Sequence, residues 1–539
     1  MVTGWPSTDP TYNGFQAESN VVVSNLTSNQ AVAIVSYNDD TTDQYITYPL
    51  TKETDVYRNA SQMGFSWVKY DPTQSFASVG AWKYGGKLRP PTGWGAIWTD
   101  NSMTVSQKKP KYAFLTNLAV PSSAFPPGNN KPVKVVYPNV FDQLGGACIA
   151  RLTVDWTNGV TAAPIAAADC FSAPPVGTAA NFYDGSSMAS TADGAIYAAY
   201  DNVGTGGIDV YEATSETATF TKIANPFPGL TSMTHPRLRA ATDGTNRLYL
   251  ATLTQPTGAQ NPVTSLSMNV WDNSTGRWAT ASTVASAGDS GEPFDGVVGS
   301  ITTSAITSGL GTTPAQNFRT NGMVSFDVGR PSKDSTGNAR SDSIRVAVSE
   351  SSNGISGPYH VAMFACSDTS GAISCSLASA WGTSTLVPLL GAGLAGQEWE
   401  PEVKATLSSG SASDPMWVLT TRRMSAGNNQ VASVAWALHV GSDGTRSASR
   451  LGGFDGVPWF DTTPCPMLDA RQYWGDYNDV AVASETFVAS DGNKHPYFFG
   501  TETNSMIPAN ITGGSATYCN LQEQYRAYMH VAVNMFTNP

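Results

Sequence analysis

Asp184-Gly185-Ser186-Ser187-Met188-Ala189, the turn Asp193-Gly194 and the return Ala195-Ile196-Tyr197-Ala198-Ala199-Tyr200 make one unit of a pattern that decides the fold. A polar group opens an alternating strand, an Asp-Gly turn reverses the chain, and a second strand rich in Tyr, Val and Ile comes back. Earlier copies are Glu18-Ser19-Asn20-Val21-Val22-Val23 with Ala31–Tyr37, and Asp100-Asn101-Ser102-Met103-Thr104-Val105 with Lys111–Leu115. Later ones are His235-Pro236-Arg237-Leu238-Arg239-Ala240 with Arg247–Leu250, and Asn321–Phe326 with Ser343–Val348. Glu400-Pro401-Glu402-Val403-Lys404-Ala405 with Pro415–Leu419, and Asp476-Tyr477-Asn478-Asp479-Val480-Ala481 with His495–Phe499, complete the series.

Each copy is a hairpin with period-2 patterning. Two strands cannot bury both their faces, so such units are stable only when stacked. Strand-like pieces between them, such as Ile208–Glu212 and Met268–Trp271, can fill out four-stranded blades. The expected fold is therefore all-β: one β-propeller of four-stranded antiparallel blades, seven by the repeat count and six as the alternative. No linker divides residues 1–539, which are read as a single domain. Residues 1–15 and a strand near 529–535 are expected to close the ring.

Composition agrees with this reading. Only 13% of residues are charged, while 41% are hydrophobic, enough to fill a core. A net charge of −12 argues against nucleic acid, which selects clustered Lys and Arg. No apolar run is long enough to span a bilayer, and no signal peptide is visible after Met1. The six cysteines fall into three sequence-local couples, Cys148 with Cys170, Cys366 with Cys375, and Cys465 with Cys519. None is a CxxC, so three disulfides in a secreted or periplasmic setting is the expectation, set against reduced buried thiols.

The copies resemble the sialidase-like, or Asp-box, propellers of secreted bacterial proteins. Tyr473-Trp474-Gly475-Asp476-Tyr477-Asn478 is similar to a segment common in that group. Partial Asp boxes stand at Asp71-Pro72-Thr73-Gln74-Ser75-Phe76, Thr153-Val154-Asp155, Thr219-Phe220 and Asn273-Ser274-Thr275-Gly276-Arg277-Trp278. The resemblance implies a glycan-directed propeller. It does not extend to the early Arg-Ile-Pro and arginine triad of true sialidases, because Gln16-Ala17-Glu18-Ser19 stands there instead.

In a propeller the first strand of each blade lines the axis, so the residues that open the copies should meet at one axial mouth. Those residues are Glu18, Asp100, Asp184, His235, Asn321, Glu400 and Asp476; Asn38, Asp39, Asn117, Asp201, Glu350, Arg422 and Arg423 end the second strands on the same face. Crowded carboxylates must share protons, pair with Arg or bind a cation. Asp100, Asp184, Glu400, Asp476 and His235 are accordingly the candidate catalytic groups, and the four carboxylates are also candidate ligands for Ca²⁺ or another divalent cation. Glu18, Asn321, Arg237, Arg422 and Arg423 are candidate substrate contacts, Arg422 and Arg423 either holding an anionic group or neutralising neighbouring acids. Trp98, Trp399 and Trp474 are candidate sugar-stacking rings, or else wedges between blades. No Ser-His-Asp signature, phosphate loop or HExxH is present. Three readings follow: a glycoside hydrolase, a non-catalytic glycan- or surface-binding propeller, and a metal-dependent lyase or hydrolase. A monomer is expected in each.

Overall fold

The computed structural model describes residues 2–3, 14–39, 53–56, 61, 63–75, 79–97, 100–124, 133–136, 145–176, 181–241, 244–255, 264–286, 299–302, 306–308, 311–313, 317–320, 323–329, 336, 344–351, 359–369, 371–377, 396–406, 416–425, 430–440, 446–451, 460–461, 478–485, 487–488, 492, 496–505 and 528–537. Among these there is no α-helix; antiparallel strands and two one-turn 3₁₀ segments carry the structure.

All seven sequence copies appear as innermost hairpins. The first strands are Gly14–Thr27, Ser102–Val105, Tyr183–Ser190, Met233–Ala240, Val324–Val328, Gly396–Ala405 and Val480–Ser484. Each pairs with the next long strand of its copy, and further strands extend the sheet outward. The first strands pack against one another in chain order, and the seventh returns to the first.

Counted as continuous sheets of four or more strands, the propeller has six blades among the described residues, the alternative to the seven expected. The difference has a local cause. Gly14 and Phe15 pair in parallel with Tyr528 and Met529, which joins the first and seventh copies into one eight-stranded sheet. Val2 and Thr3 pair with Val533 and Ala532 on the same closing strand, Tyr528–Thr537.

Burial follows the period-2 alternation. In Ile196–Asn202 all seven residues are buried: Ile196, Ala198 and Tyr200 face the second copy's side, and Tyr197 and Ala199 face the fourth. Such a strand is covered on both faces, as blade stacking demands. Phe114, Tyr183, Tyr200 and Tyr211 fill one gap between copies, and Trp399 and Trp417, both fully buried, sit in later ones. The partial Asp boxes fall on the turns between third and fourth strands. There Asp71 accepts Thr73 N–H at 2.9 Å, Asp155 accepts Asn158 N–H at 2.6 Å and Asp272 accepts Ser274 N–H at 2.9 Å. These are Asx turns in the sense of local side-chain-to-backbone bonding.

Two of the three expected disulfides are present. Cys148–Cys170 and Cys366–Cys375 each link residues that face each other on neighbouring strands of one blade. Cys465 and Cys519 lie outside the described residues. No helix among the described residues is long and apolar enough to cross a membrane.

Candidate active site at the axial mouth

Side-chain bonds between neighbouring innermost strands fix the alignment of the copies. Ser102 Oγ accepts Met188 N–H at 3.0 Å, Ser187 Oγ accepts Leu238 N–H at 2.8 Å, and Ser325 Oγ accepts Val403 N–H at 2.9 Å. Asp479 Oδ2 accepts Val21 N–H at 3.0 Å and closes the series from the last copy to the first. Asn20 donates to the Asn101 carbonyl at 2.8 Å, and Arg237 Nε to the Val324 carbonyl at 3.3 Å. Asn20, Ser102, Ser187, Arg237, Ser325, Glu402 and Asp479 are therefore equivalent.

Two residues before that position the ladder breaks. Register shifts fall between Ala17 and Asn20, Asp184 and Ser186, Thr234 and Arg237, and Trp399 and Glu402. These are β-bulges, which re-aim a side chain at the rim of a sheet. Backbone angles at the same place enter the left-handed region: φ is 56° at Asp100, 44° at Gly185, and 49° at both His235 and Glu400. Among the described residues only one other non-glycine, Ser232, has positive φ. A left-handed non-glycine costs roughly 1–3 kcal/mol and persists where the surroundings over-determine it. Here an Asp, a His and a Glu are held in that conformation at the same point of three copies, where the innermost strand of each begins.

Around the second, third and fourth copies these groups form one arc. Ser186 Oγ donates to the Asp100 carbonyl at 2.8 Å, tying the second copy to the third. Asp184 lies directly across the ladder from Asp201, two carboxyl groups in register. A Cβ at Gly185 would lie 3.8 Å from the His235 ring, so the imidazole packs over the bulge of the third copy. His235 Nδ1 is 2.8 Å from Thr234 Oγ1. Burial pushes the Asp201 carboxyl well above the ordinary carboxylate range; neighbouring Asp184 adds to this, and the Thr234 hydroxyl partly offsets it.

A second arc spans the fifth to seventh copies. Glu400 N–H donates to Ser349 Oγ at 3.1 Å. Its carboxylate is ion-paired with Arg422 Nε at 2.8 Å, both side chains only 4% exposed. Arg422 Nη2 continues to Asn478 Oδ1 at 3.2 Å. The guanidinium thus neutralises a neighbouring acid, one of the two roles expected of it.

Other expectations need correction. Trp399 is fully buried and has no face for a sugar, because its place ahead of the bulge turns it between blades. Arg237 is also buried; it donates to the Val324 carbonyl and contacts Met323 Sδ, an inter-blade tie and not a substrate contact. In the third copy the ring position belongs to Gly185, with Asp184 one residue ahead. Glu18 and Arg423 lie on strands whose side chains at those points are outside the described set, and Trp98, Asn321, Trp474 and Asp476 lie outside it altogether. Among the described residues no group of three His, Cys, Asp or Glu is arranged to hold a metal ion. Thr234 carried no signal in sequence, and Asp201 was visible only as a strand end.

The far end of the axis differs. A cavity of about 530 Å³ is lined by innermost-strand residues of every copy, among them Val23, Val105, Ser190, Arg239, Asp327, Lys404 and Ser484. Arg239 pairs with Glu402 at 2.7 Å and lies 3.8 Å from Asp327. Burial, with Glu402 nearby, pushes Asp479 up to about 6, against the opposing pull of Lys404 and Arg239. This cluster of three acids and two bases ties the strands together beneath the mouth.

No protein-family profile and no curated protein sequence matches the chain. Solved structures similar to it are propeller-fold glycoside hydrolases, sialidases and polysaccharide lyases. A polysaccharide lyase of family PL25, an ulvan lyase, is 8% identical over 91% of this chain and 92% of its own, with a TM-score of 0.39. A Hadza microbial sialidase is 9% identical, covering 76% of this chain and 66% of its own, with a TM-score of 0.38; the chain thus spans just under two thirds of that protein's length. A family 117 glycoside hydrolase from the marine bacterium Zobellia galactanivorans is 13% identical over 53% of this chain and 75% of its own, with a TM-score of 0.29. At these identities the likeness extends no further than fold.

Proposed function

We propose that this chain is an extracytoplasmic glycan-cleaving enzyme, a glycoside hydrolase by preference, working at the axial mouth. The observation that carries the reading is the set Asp100, His235 and Glu400, held in left-handed backbone at equivalent points of three copies. Strained titratable residues gathered at one rim favour chemistry over packing. Asp184 and Asp201 add a pair of carboxyl groups facing each other across the ladder, the two-carboxyl provision that glycoside cleavage uses. Two disulfides within blades support an oxidising compartment.

The test is a panel of neutral and acidic polysaccharides, scored for new reducing ends and for the 4,5-unsaturated uronate absorbance near 235 nm. Hydrolysis gives reducing ends without that absorbance. Release should fall at least about 100-fold in His235→Gln and Glu400→Gln, consistent with loss of acid–base catalysis. Absorbance at 235 nm would replace hydrolysis by elimination. Binding to the panel without turnover would make the protein a non-catalytic binder.

A further inference from the structure

We propose that Asp209 is the positioning residue of the mouth carboxyls Asp184 and Asp201, because one of its oxygens pins Tyr183 and Asn202, the pair that ends their ladder. The proposal rests on the mouth being the reactive site; Asp209 acts through its two neighbours and not on substrate.

The bulge creates the need for a pin. On its inner side, Ser186–Ser190 of the third copy's first strand pair in unbroken register with Ile196–Tyr200. Past it toward the mouth only two pairs remain, Asp184 with Asp201 and Tyr183 with Asn202. The second strand is held there on its other side too, since Asp201 and Asn202 pair with Ile208 and Gly207. The first strand is innermost and has this one partner in its sheet. Gly185, at φ 44°, joins its two parts through a residue of wide conformational freedom. A two-residue end beyond such a joint frays unless side chains tie it down.

Asp209 supplies the tie from the third strand, Gly207–Ala213. Its Oδ2 accepts the Tyr183 hydroxyl at 2.9 Å and Asn202 Nδ2 at 2.9 Å. Lys222 Nζ, on the fourth strand, pairs with the same oxygen at 2.7 Å. Hydrogen bonds to an ionised acceptor are the stronger kind, and one buried carboxylate here gathers three donors from three other strands. Burial, with Asp209 beside it, pushes the Tyr183 hydroxyl up, so it stays a donor. Tyr183 OH also meets Tyr211 OH at 2.7 Å, and its ring centre lies 5.2 Å from that of Tyr200, which fixes the ring as well as its tip. The pleat puts this tie behind the carboxyls. Tyr183, Tyr200 and Tyr211 pack toward the second copy, and Asp209 has the parity of Tyr211. Asp201 has the parity of Ala199, which packs toward the fourth copy, and Asp184 stands across the ladder from Asp201 on that same face. One face of the blade is thus anchored while the other presents both carboxyls.

Hydrogen–deuterium exchange read by mass spectrometry tests the pin without substrate. Tyr183→Phe removes one bond and keeps the ring, whereas Asp209→Ala removes both. Exchange at residues 182–184 should rise at least about 10-fold in Tyr183→Phe and further in Asp209→Ala, with residues 187–190 unchanged. On the polymer that the wild-type protein cuts, both variants should lower kcat at least about 10-fold with KM within about 2-fold. Asp209→Asn, which keeps an acceptor oxygen without the charge, should recover part of that loss. Cys366→Ser with Cys375→Ser, which loosens the fifth copy instead, should leave kcat unchanged and so separates positioning from general loss of stability. Wild-type exchange at residues 182–184 in the two variants, or a loss confined to KM, overturns the proposal; Tyr183→Phe carries both readouts if Asp209→Ala does not fold. Raised exchange at 182–184 in a protein that cuts no polymer would uphold the pin and count against the mouth as a cleavage site.

Discussion

Removing the Arg422 guanidinium while leaving Glu400 in place isolates the electrostatics of the second arc. Both side chains are 4% exposed and 2.8 Å apart, so the Arg422→Met variant takes the guanidinium away from a buried carboxylate. Breaking such a pair from one side costs about 3–5 kcal/mol. With ~2.1 cal/mol/K of unfolding entropy per residue, the 539-residue chain loses about 1.1 kcal/mol of stability per kelvin near its midpoint. The expected fall in Tm is therefore about 3–4 °C, read by calorimetry at pH 8. The loss also has a signed pH dependence. A carboxyl buried without a cation has a folded-state pKa raised above its unfolded value, so the folded form takes up a proton and the deficit shrinks toward pH 4. Adding Glu400→Gln to Arg422→Met should restore most of the Tm, because a neutral amide no longer needs the cation. An unchanged Tm in Arg422→Met, or a double variant that falls as far as both singles combined, would refute this account of the pair.

Ser187→Ala strands the Leu238 N–H between blades and should cost about 1–3 kcal/mol, measured by urea unfolding, whereas Ser187→Thr, which keeps the acceptor, should cost less. Asp479 has a folded pKa raised to about 6, so its contribution favours the folded state in acid and is lost as pH rises from about 4 through 6; Tm should fall across that window, and Asp479→Asn should remove this part of the fall. Cys366→Ser with Cys375→Ser opens a loop whose ends are nine residues apart, a loss of about 2–3 kcal/mol on the chain-entropy view, detectable as a lower urea midpoint without a change in blade structure by circular dichroism.

The fold was legible because stacking imposes itself on every copy. Ser187 and Met188 repeat Ser102 and Met103, and the Asp193-Gly194 turn reports its own hairpin. The blade count was less legible, since the pairing of Gly14 and Phe15 with Tyr528 and Met529 joins residues more than 500 positions apart. Pro236 and Pro401 did mark the bulges: a proline inside a strand is tolerated where the ladder is already broken. That signal would have separated His235 and Glu400 from Asp184, whose following residue is Gly185. What no linear pattern showed was direction. Trp399 and Arg237 sit one and two residues from mouth groups, yet the alternating pleat and the bulge turn both into the packing between blades.

The most direct test of the central claim is a crystal structure of the inactive Glu400→Gln protein with an oligosaccharide cut from whichever polymer the wild-type protein degrades. The mouth reading predicts sugar density at the starts of the innermost strands, with hydroxyls or the glycosidic oxygen within hydrogen-bond reach of Asp100, Asp184 or His235. Density confined to the far-end cavity beside Arg239 and Lys404, or to the outer strands, would contradict it.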